Sequence, residues 1–167
     1  MKTIILVLGL AAGAAFSSKA QDMKAPAGVQ QSFAAQYPDV RIRTWGQQGG
    51  TWMVTFKDKD DRTKDMAYYG PDGQWIKTET KIPMIKDLPV AVNMAWKRSE
   101  FASWPVAGMK EVKYPDKDVY VLKVEANCGP DGSLPGDCVE AYRLYYDKDG
   151  ALLRQSLVQN DDPGYFR

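Results

Sequence analysis

The sequence predicts an α+β protein in which two tandem repeats each pack a helical segment on a four-stranded antiparallel sheet. Together the repeats would give about eight strands with helices on one face. Three observations support this class. Two amphipathic helical segments recur along the chain, alternating strand patterns follow each of them, and nearly the same string closes both series. That string is YYGPDGQWI from Tyr68 and YYDKDGALL from Tyr145.

Each repeat is predicted to begin with a short helix. In APAGVQQSFAAQYP, the apolar residues Val29, Phe33 and Tyr37 recur every four positions and therefore share one helix face. In LPVAVNMAWKRSEF, Val92 and Trp96 repeat this spacing 63 residues later. A proline precedes both segments, where the missing N–H costs little. We expect both helices to bury these faces on the sheet.

Strands of alternating character follow each helix. VRIRTW and TWMVTF alternate apolar with polar residues, and KEVKY and VYVLKVEA do so in the second repeat. The residues expected to face the helices are Val40, Ile42, Trp52, Val54, Phe56, Tyr120, Leu122 and Val124. The alternate residues should face away from them, because successive side chains of a strand point to opposite sides of a sheet.

The two recurring strings are predicted to be β-hairpins. Gly70 to Gly73, the tetrapeptide GPDG, combines a proline that presets φ, an aspartate that bonds its local backbone, and a final glycine that tolerates positive φ. Asp147 to Gly150, the tetrapeptide DKDG, has the same aspartate and final glycine. Both sequences are typical of a type I turn followed by a bulge, so turn geometry accounts for their composition.

The predicted organisation is a signal peptide (1–20), a first repeat (21–84), a second repeat (85–157) and a loose C-terminal tail (158–167). Cys128 and Cys138 bracket a loop rich in glycine and proline in the second repeat. In an exported protein this spacing favours a structural disulfide. The alternative is a redox or metal pair. Nine intervening residues do not suit CxxC chemistry, and the chain has no histidine to complete a zinc site.

The N-terminal segment indicates export. A basic Lys2 precedes the apolar run from Ile4 to Phe16, and Ser18 to Ala20 has the small-x-small pattern of a cleavage site. The run is shorter than the roughly 20 residues needed to cross a bilayer. We therefore expect cleavage after Ala20, a periplasmic or extracellular location, and no membrane span.

Charge argues against two classes of partner. The chain has 22 basic and 21 acidic residues, and removal of the signal peptide takes away Lys2 and Lys19. The mature chain would be close to neutral, which gives no electrostatic reason to expect binding to nucleic acid or to an anionic membrane.

The order of these motifs resembles the PepSY-like family of secreted bacterial proteins. The resemblance rests on YP at Tyr37, the Trp-containing alternating strand, the two DG hairpins, and the helix that follows LP, and it covers Pro26 to Gln155. That family is related in fold to the beta-lactamase inhibitory proteins. The resemblance implies a non-enzymatic exported protein of the Bacteroidetes envelope. In the inhibitory relatives the bare sheet face binds an enzyme. Their contact residues have no one-to-one match here, and their cysteine arrangement is not reproduced.

No catalytic, cofactor or metal site is predicted. Because the chain has no histidine, Ser-His-Asp, Cys-His and HExxH centres are excluded. GxSxG, SxxK, P-loop and GxGxxG strings do not occur. The clustered acidic residues, such as Asp58 to Asp61, are typical of solvated turns, and neither DKDD nor DKDG continues into an EF-hand loop.

The face of the sheet away from the helices is the candidate binding surface. Strict alternation places on it Arg41, Arg43, Trp45, Thr51, Met53, Thr55, Val121 and Lys123. The candidates for binding are Arg41, Arg43, Trp45, Met53 and Lys123. Arginine, aromatic residues and methionine are enriched in protein interfaces, although these side chains could also be ordinary exposed residues, or Trp45 could fold over an edge into the core.

Two functions of different classes remain open. In the first, the protein is a binding or inhibitory module that presents this face to another protein, such as an envelope hydrolase. In the second, it is a periplasmic protein that binds a small ligand, a peptide or a glycan, which requires a concave aromatic pocket between the repeats. The partner and the oligomeric state are not determined by the sequence.

Overall fold

A computed structural model describes residues 24–57, 63–126 and 141–158. The elements are α1 (Ala27–Gln36), β1 (Arg41–Gln48), β2 (Thr51–Lys57), β3 (Asp65–Tyr69), β4 (Trp75–Lys81), a 3-10 turn (Ile85–Asp87), α2 (Val90–Lys97), β5 (Val106–Lys113), β6 (Asp118–Glu125), β7 (Ala141–Asp147) and β8 (Leu152–Leu157). The predicted signal peptide, the predicted disulfide between Cys128 and Cys138, and the tail beyond residue 158 lie outside the described residues.

The strands form one antiparallel sheet in the order β1 to β8, which corrects the predicted fold class. The α+β class with two separate four-stranded repeats is wrong. Strand β4 pairs directly with β5, with Thr80 opposite Glu111 and Lys81 opposite Lys110, so a single sheet runs through both halves. The helices have only 10 and 8 residues, and the fold is mostly β. Pairing β4 with β5 also removes two strand edges that separate sheets would have left open.

Helix α1 covers the first half of the sheet. Its Val29 and Phe33 are 0 and 1% exposed, which confirms the predicted helix face. Phe33 makes edge-on ring contact with Phe56 on β2, and Tyr69 on β3 is fully buried in the same cluster. Burial of such side chains contributes about 1.5–3 kcal/mol each to folding. This apolar cluster therefore holds the short helix on β1 to β4.

Helix α2 covers the second half in the same manner. Val92 and Trp96 are buried, as their spacing predicts, and they pack in a cluster with Leu122 on β6 and with Leu144 and Tyr146 on β7. The two helices thus lie on one side of the same sheet, α1 over its first half and α2 over its second. The other side carries no described helix.

The first recurring string forms the predicted turn. The Gly73 N–H donates to the Gly70 carbonyl at 3.0 Å, and the register shifts between Tyr68 and Tyr69, which is the expected bulge. Gly73 has φ +83°. A Cβ added there would lie 3.2 Å from both the Gly28 carbonyl oxygen and Ser32 Oγ on α1. The turn therefore packs tightly against the helix.

The second string repeats this arrangement on α2. Gly150 has φ +85°, and its N–H donates to the Asp147 carbonyl at 3.1 Å. An added Cβ would lie 2.6 Å from the Ala91 carbonyl oxygen and 3.3 Å from Ala95 Cβ. Ala91 and Ala95 follow residues 28 and 32 at the 63-residue offset of the helices. Each DG turn thus contacts the equivalent two positions of its own helix.

Candidate binding surface

On the side of the sheet opposite the helices, side chains of successive strands line up in rows. We call this surface the open face. In one row, Lys81, Lys110, Val121, Tyr145 and Arg154 lie directly opposite one another on β4 to β8. A second row runs through Glu79, Val112, Val119 and Asp147. A third joins Gly108, Lys123, Arg143 and Ser156. On β2 to β4 the open face continues through Met53, Tyr68 and Lys77.

Three of the five predicted candidates lie on this face, but they are not close together. Arg41 is exposed and lies opposite Lys57 at one end of the sheet. Met53 is half-buried between Gly46 and Tyr68. Lys123 lies on β6, four strand spacings or about 19 Å from β2. These residues therefore belong to one face without forming one compact site.

The other two candidates are displaced by a bulge. The register of β1 shifts between Ile42 and Thr44, so Arg43 is the extra, exposed residue. After the shift, Trp45 lies opposite Val54 and turns to the helix side, where its ring meets the Phe33 ring edge-on at 5.6 Å. Strict alternation fails here because a bulge inserts one residue and reverses the direction of every side chain after it.

A small apolar cluster occupies the middle of the open face. Val112, Val119 and Val121 are 4, 6 and 1% exposed, and Tyr114 and Tyr145 pack against them. The sequence places Val121 on this face, and the structure agrees. With so little of their surface exposed, the valines form a small second core beneath the open face, and the half-buried Tyr114 and Tyr145 cover it.

An ion-paired cluster lies beside these valines. Glu79 accepts hydrogen bonds from Lys77 Nζ and, at 2.9 Å, from Lys110 Nζ. The three side chains are only 10 to 18% exposed. Burial lowers the pKa of Lys110 below its ordinary value, and the Glu79 carboxylate opposes this shift. The cluster holds two ammonium groups in defined positions on the open face.

Cations also lie over aromatic rings at two points of the face. Lys77 Nζ is 4.3 Å from the centroid of the Tyr68 ring, and the Arg154 guanidinium is 4.2 Å from that of Tyr145. Such contacts orient long side chains that would otherwise sample many rotamers. A partner would therefore meet an arrangement that is already partly ordered.

The open face is basic within the described residues. Its basic residues are Arg41, Lys57, Lys77, Lys81, Lys110, Lys123, Arg143 and Arg154, and its acidic residues are Glu79, Glu125 and Asp147. A near-neutral chain thus concentrates positive charge on one side. A surface of this sign attracts and orients acidic partners.

Four residues of the open face, Lys77, Glu79, Arg143 and Tyr145, are not among the five predicted candidates. Lys77 and Glu79 alternate in the string WIKTETK, and Arg143 and Tyr145 alternate in YRLYYD, so the signal was present. The pairing of β7 with β6, which places Tyr145 opposite Val121 and Arg143 opposite Lys123, assigns both to the open face. The register shift between β7 and β8 then makes Leu153 the extra residue of β8 and leaves Arg154 opposite Tyr145.

The pocket at the start of α1 does not match the ligand site that the second predicted function requires. A pocket of about 500 Å³ lies at the start of α1, and none of its lining residues is aromatic. They are Lys24, Ala25, Ala27, Gln30 and Gln31. This is not the aromatic pocket between repeats that a ligand-binding function predicts. In ranges 24–57, 63–126 and 141–158, no three His, Cys, Asp or Glu residues cluster as a metal site would require.

Helices long and apolar enough to cross a membrane are not found among the described residues.

Solved structures with the same fold come from Bacteroides species. A DUF2874 family protein from Bacteroides ovatus has a TM-score of 0.70 and 25% identity, and the alignment covers 85% of this chain and 95% of that one. A BLIP-like protein from Bacteroides fragilis has a TM-score of 0.72 and 23% identity, covering 86% and 94%. A candidate periplasmic protein from Bacteroides eggerthii has a TM-score of 0.67 and 23% identity, covering 83% and 92%.

These likenesses confirm the expected relation in fold to BLIP-like proteins, those similar to beta-lactamase inhibitory protein. No family model matches the chain, so the PepSY-like resemblance stays a prediction. The search of curated proteins found no match either.

Proposed function

We propose that this chain is an exported, non-enzymatic binding module that holds another protein on its open face. The observation that carries the proposal is the basic surface on the side of the sheet away from the helices. On it the exposed Arg154 lies over the half-buried Tyr145, and Lys77 lies over Tyr68. Arginine and tyrosine are enriched among the residues that anchor protein interfaces.

The structural neighbours support the same function. One is BLIP-like and another is a candidate periplasmic protein, which fits a binding module of the cell envelope. The predicted signal peptide over residues 1–20 accords with that location. An envelope hydrolase is the kind of partner that the likeness to an inhibitory protein suggests. Because the open face is basic, we expect the partner to present an acidic patch to it.

The test is capture from an envelope extract with charge-reversed variants of the purified protein. Lys123→Glu reverses a charge on the open face. Lys97→Glu reverses the charge at an exposed position of α2, on the other side of the sheet. We expect wild type and Lys97→Glu to retain the same partner and Lys123→Glu to retain about tenfold less, which corresponds to about 1.4 kcal/mol. Retention should also fall as salt is raised.

A third variant tests whether Trp45, which was predicted on this face but lies on the helix side, takes part in capture. Trp45 packs on Phe33 beneath α1, so Trp45→Ala should lower thermal stability without changing capture. A partner with hydrolase activity is then assayed with and without the protein for inhibition. Equal capture by Lys123→Glu and Lys97→Glu would show that the open face is not the contact surface.

A further inference from the structure

The two edges of the sheet differ in how they are protected. Both outer strands carry a bulge, at Arg43 on β1 and at Leu153 on β8. Strand β1 adds the exposed charges of Arg41 and Arg43, which oppose strand pairing between molecules. Strand β8 carries three exposed leucines instead. Leu152, Leu153 and Leu157 are 48, 52 and 50% exposed. Within the described residues β8 has a neighbour on one side only, namely β7.

The hydrogen bonding of β8 shows which backbone groups point outward. The Val158 N–H donates to the Ala141 carbonyl at 2.7 Å, and Ser156 lies opposite Arg143 in the same register. In an antiparallel pair, bonded and non-bonded residue pairs alternate. The N–H and C=O groups of Gln155 and Leu157 therefore point away from β7 and are available to another strand.

We propose that β8 pairs antiparallel with β8 of a second copy of this chain, forming a two-fold symmetric dimer. The proposed register is centred on Gln155, so that an outward-pointing residue meets its own copy. Gln155 then faces Gln155 of the second copy across the two-fold axis. The eight-stranded sheet continues through the contact into its counterpart. This edge is distinct from the open face.

The side chains are compatible with such self-pairing. In this register Arg154 lies opposite Ser156 of the second copy, and Leu157 lies beside the bulge at Leu153. The one charged residue of β8, Arg154, stacks over Tyr145 on β7, so its guanidinium is turned away from the outer edge. Like charges are thus not opposed, and exposed apolar side chains meet. An isologous contact of this type closes at two copies and does not propagate.

The dimer should be weak and depend on concentration. A contact through one six-residue strand is smaller than a standard interface, which buries at least about 1,200 Å². Sedimentation equilibrium of the purified protein from about 10 µM to about 1 mM should therefore show the average mass rising from one chain towards two. A mass that stays at one chain throughout would overturn the proposal.

A charge exchange at the two-fold axis tests the register. Gln155→Glu places two carboxylates opposite each other, and Gln155→Lys does the same with two ammonium groups, so each variant alone should dimerise at least about tenfold more weakly. A mixture of the two should recover dimers, since opposite charges then face each other. Gln155 is exposed, so neither change should disturb folding.

The matching control lies on the other edge of the sheet. Gln47→Glu introduces the same charge at an exposed position of β1 and should leave the dimer unchanged. Loss of the dimer in Gln47→Glu, or no effect of either Gln155 variant, would place the contact elsewhere and refute the β8 pairing. Neither result bears on capture of a partner by the open face.

Discussion

Substitution of Gly150 by alanine tests how the recurring turn holds the helix to the sheet. The residue has φ +85°, a conformation that costs an alanine about 1–2 kcal/mol. The new Cβ would also lie 2.6 and 2.9 Å from the carbonyl oxygen and carbon of Ala91. These are backbone atoms of α2 and cannot rotate away, so overpacking adds about 1–3 kcal/mol. We expect Gly150→Ala to lower the free energy of unfolding by about 2–5 kcal/mol in all.

Two other glycines supply matched controls. Gly50 has φ +83° with no atom within 4 Å of the new Cβ, so Gly50→Ala should show the conformational cost alone, about 1 kcal/mol. Gly73 has the same φ with contacts at 3.2 Å, so Gly73→Ala should fall between the other two. The loss of stability should thus be smallest for Gly50→Ala, intermediate for Gly73→Ala and largest for Gly150→Ala.

Urea denaturation followed by tryptophan fluorescence measures all three differences. The slope with denaturant should stay constant, which shows that stability alone has changed. Equal losses for Gly150→Ala and Gly50→Ala would mean that the turn does not press on α2. That result would refute the docking of the turn on the helix as the reason for the repeated glycine.

Two further predictions concern hydrogen-bonded side chains on the helix side of the sheet. The Thr78 hydroxyl hydrogen-bonds the Tyr37 hydroxyl at 2.7 Å and accepts a hydrogen bond from Trp75 Nε1 at 3.0 Å. Thr78→Val should therefore lower the free energy of unfolding, measured by urea titration, by about 1–3 kcal/mol. An unchanged free energy of unfolding would contradict this network. Burial, followed by the hydrogen bond to Glu111, raises the pKa of Tyr120 to about 12. Above pH 10 the unfolded chain therefore loses the Tyr120 proton before the folded chain does, so the free energy of unfolding falls as pH rises towards 12. In denaturation curves taken at each pH, Tyr120→Phe should show a smaller decrease over this range.

Local patterns were sufficient for the helices, the strands and the turns. The four-residue spacing of Val29 and Phe33 identified the buried face of α1, because helix geometry alone brings such residues together. The DG strings identified both hairpins, because glycine is the residue that readily adopts φ near +85°. These features depend on neighbours in the chain and could therefore be read without a structure.

Features that depend on pairing between strands could not be predicted in this way. The position of Trp45 depends on a bulge at Arg43, which no local pattern marks, and one inserted residue reverses the face of everything that follows. The ion-paired cluster around Glu79 joins residues of β4 and β5, and only their register brings Lys110 within 2.9 Å.

The sequence by itself determined where the two DG turns fall, which residues are apolar on each element, and that its two halves are built alike. The tertiary structure decided that β4 and β5 pair, so that one sheet replaces two. It also decided which cations share the open face. The physical reason is that hydrogen bonding between strands joins residues far apart in sequence, and the alternation within each strand is compatible with more than one register.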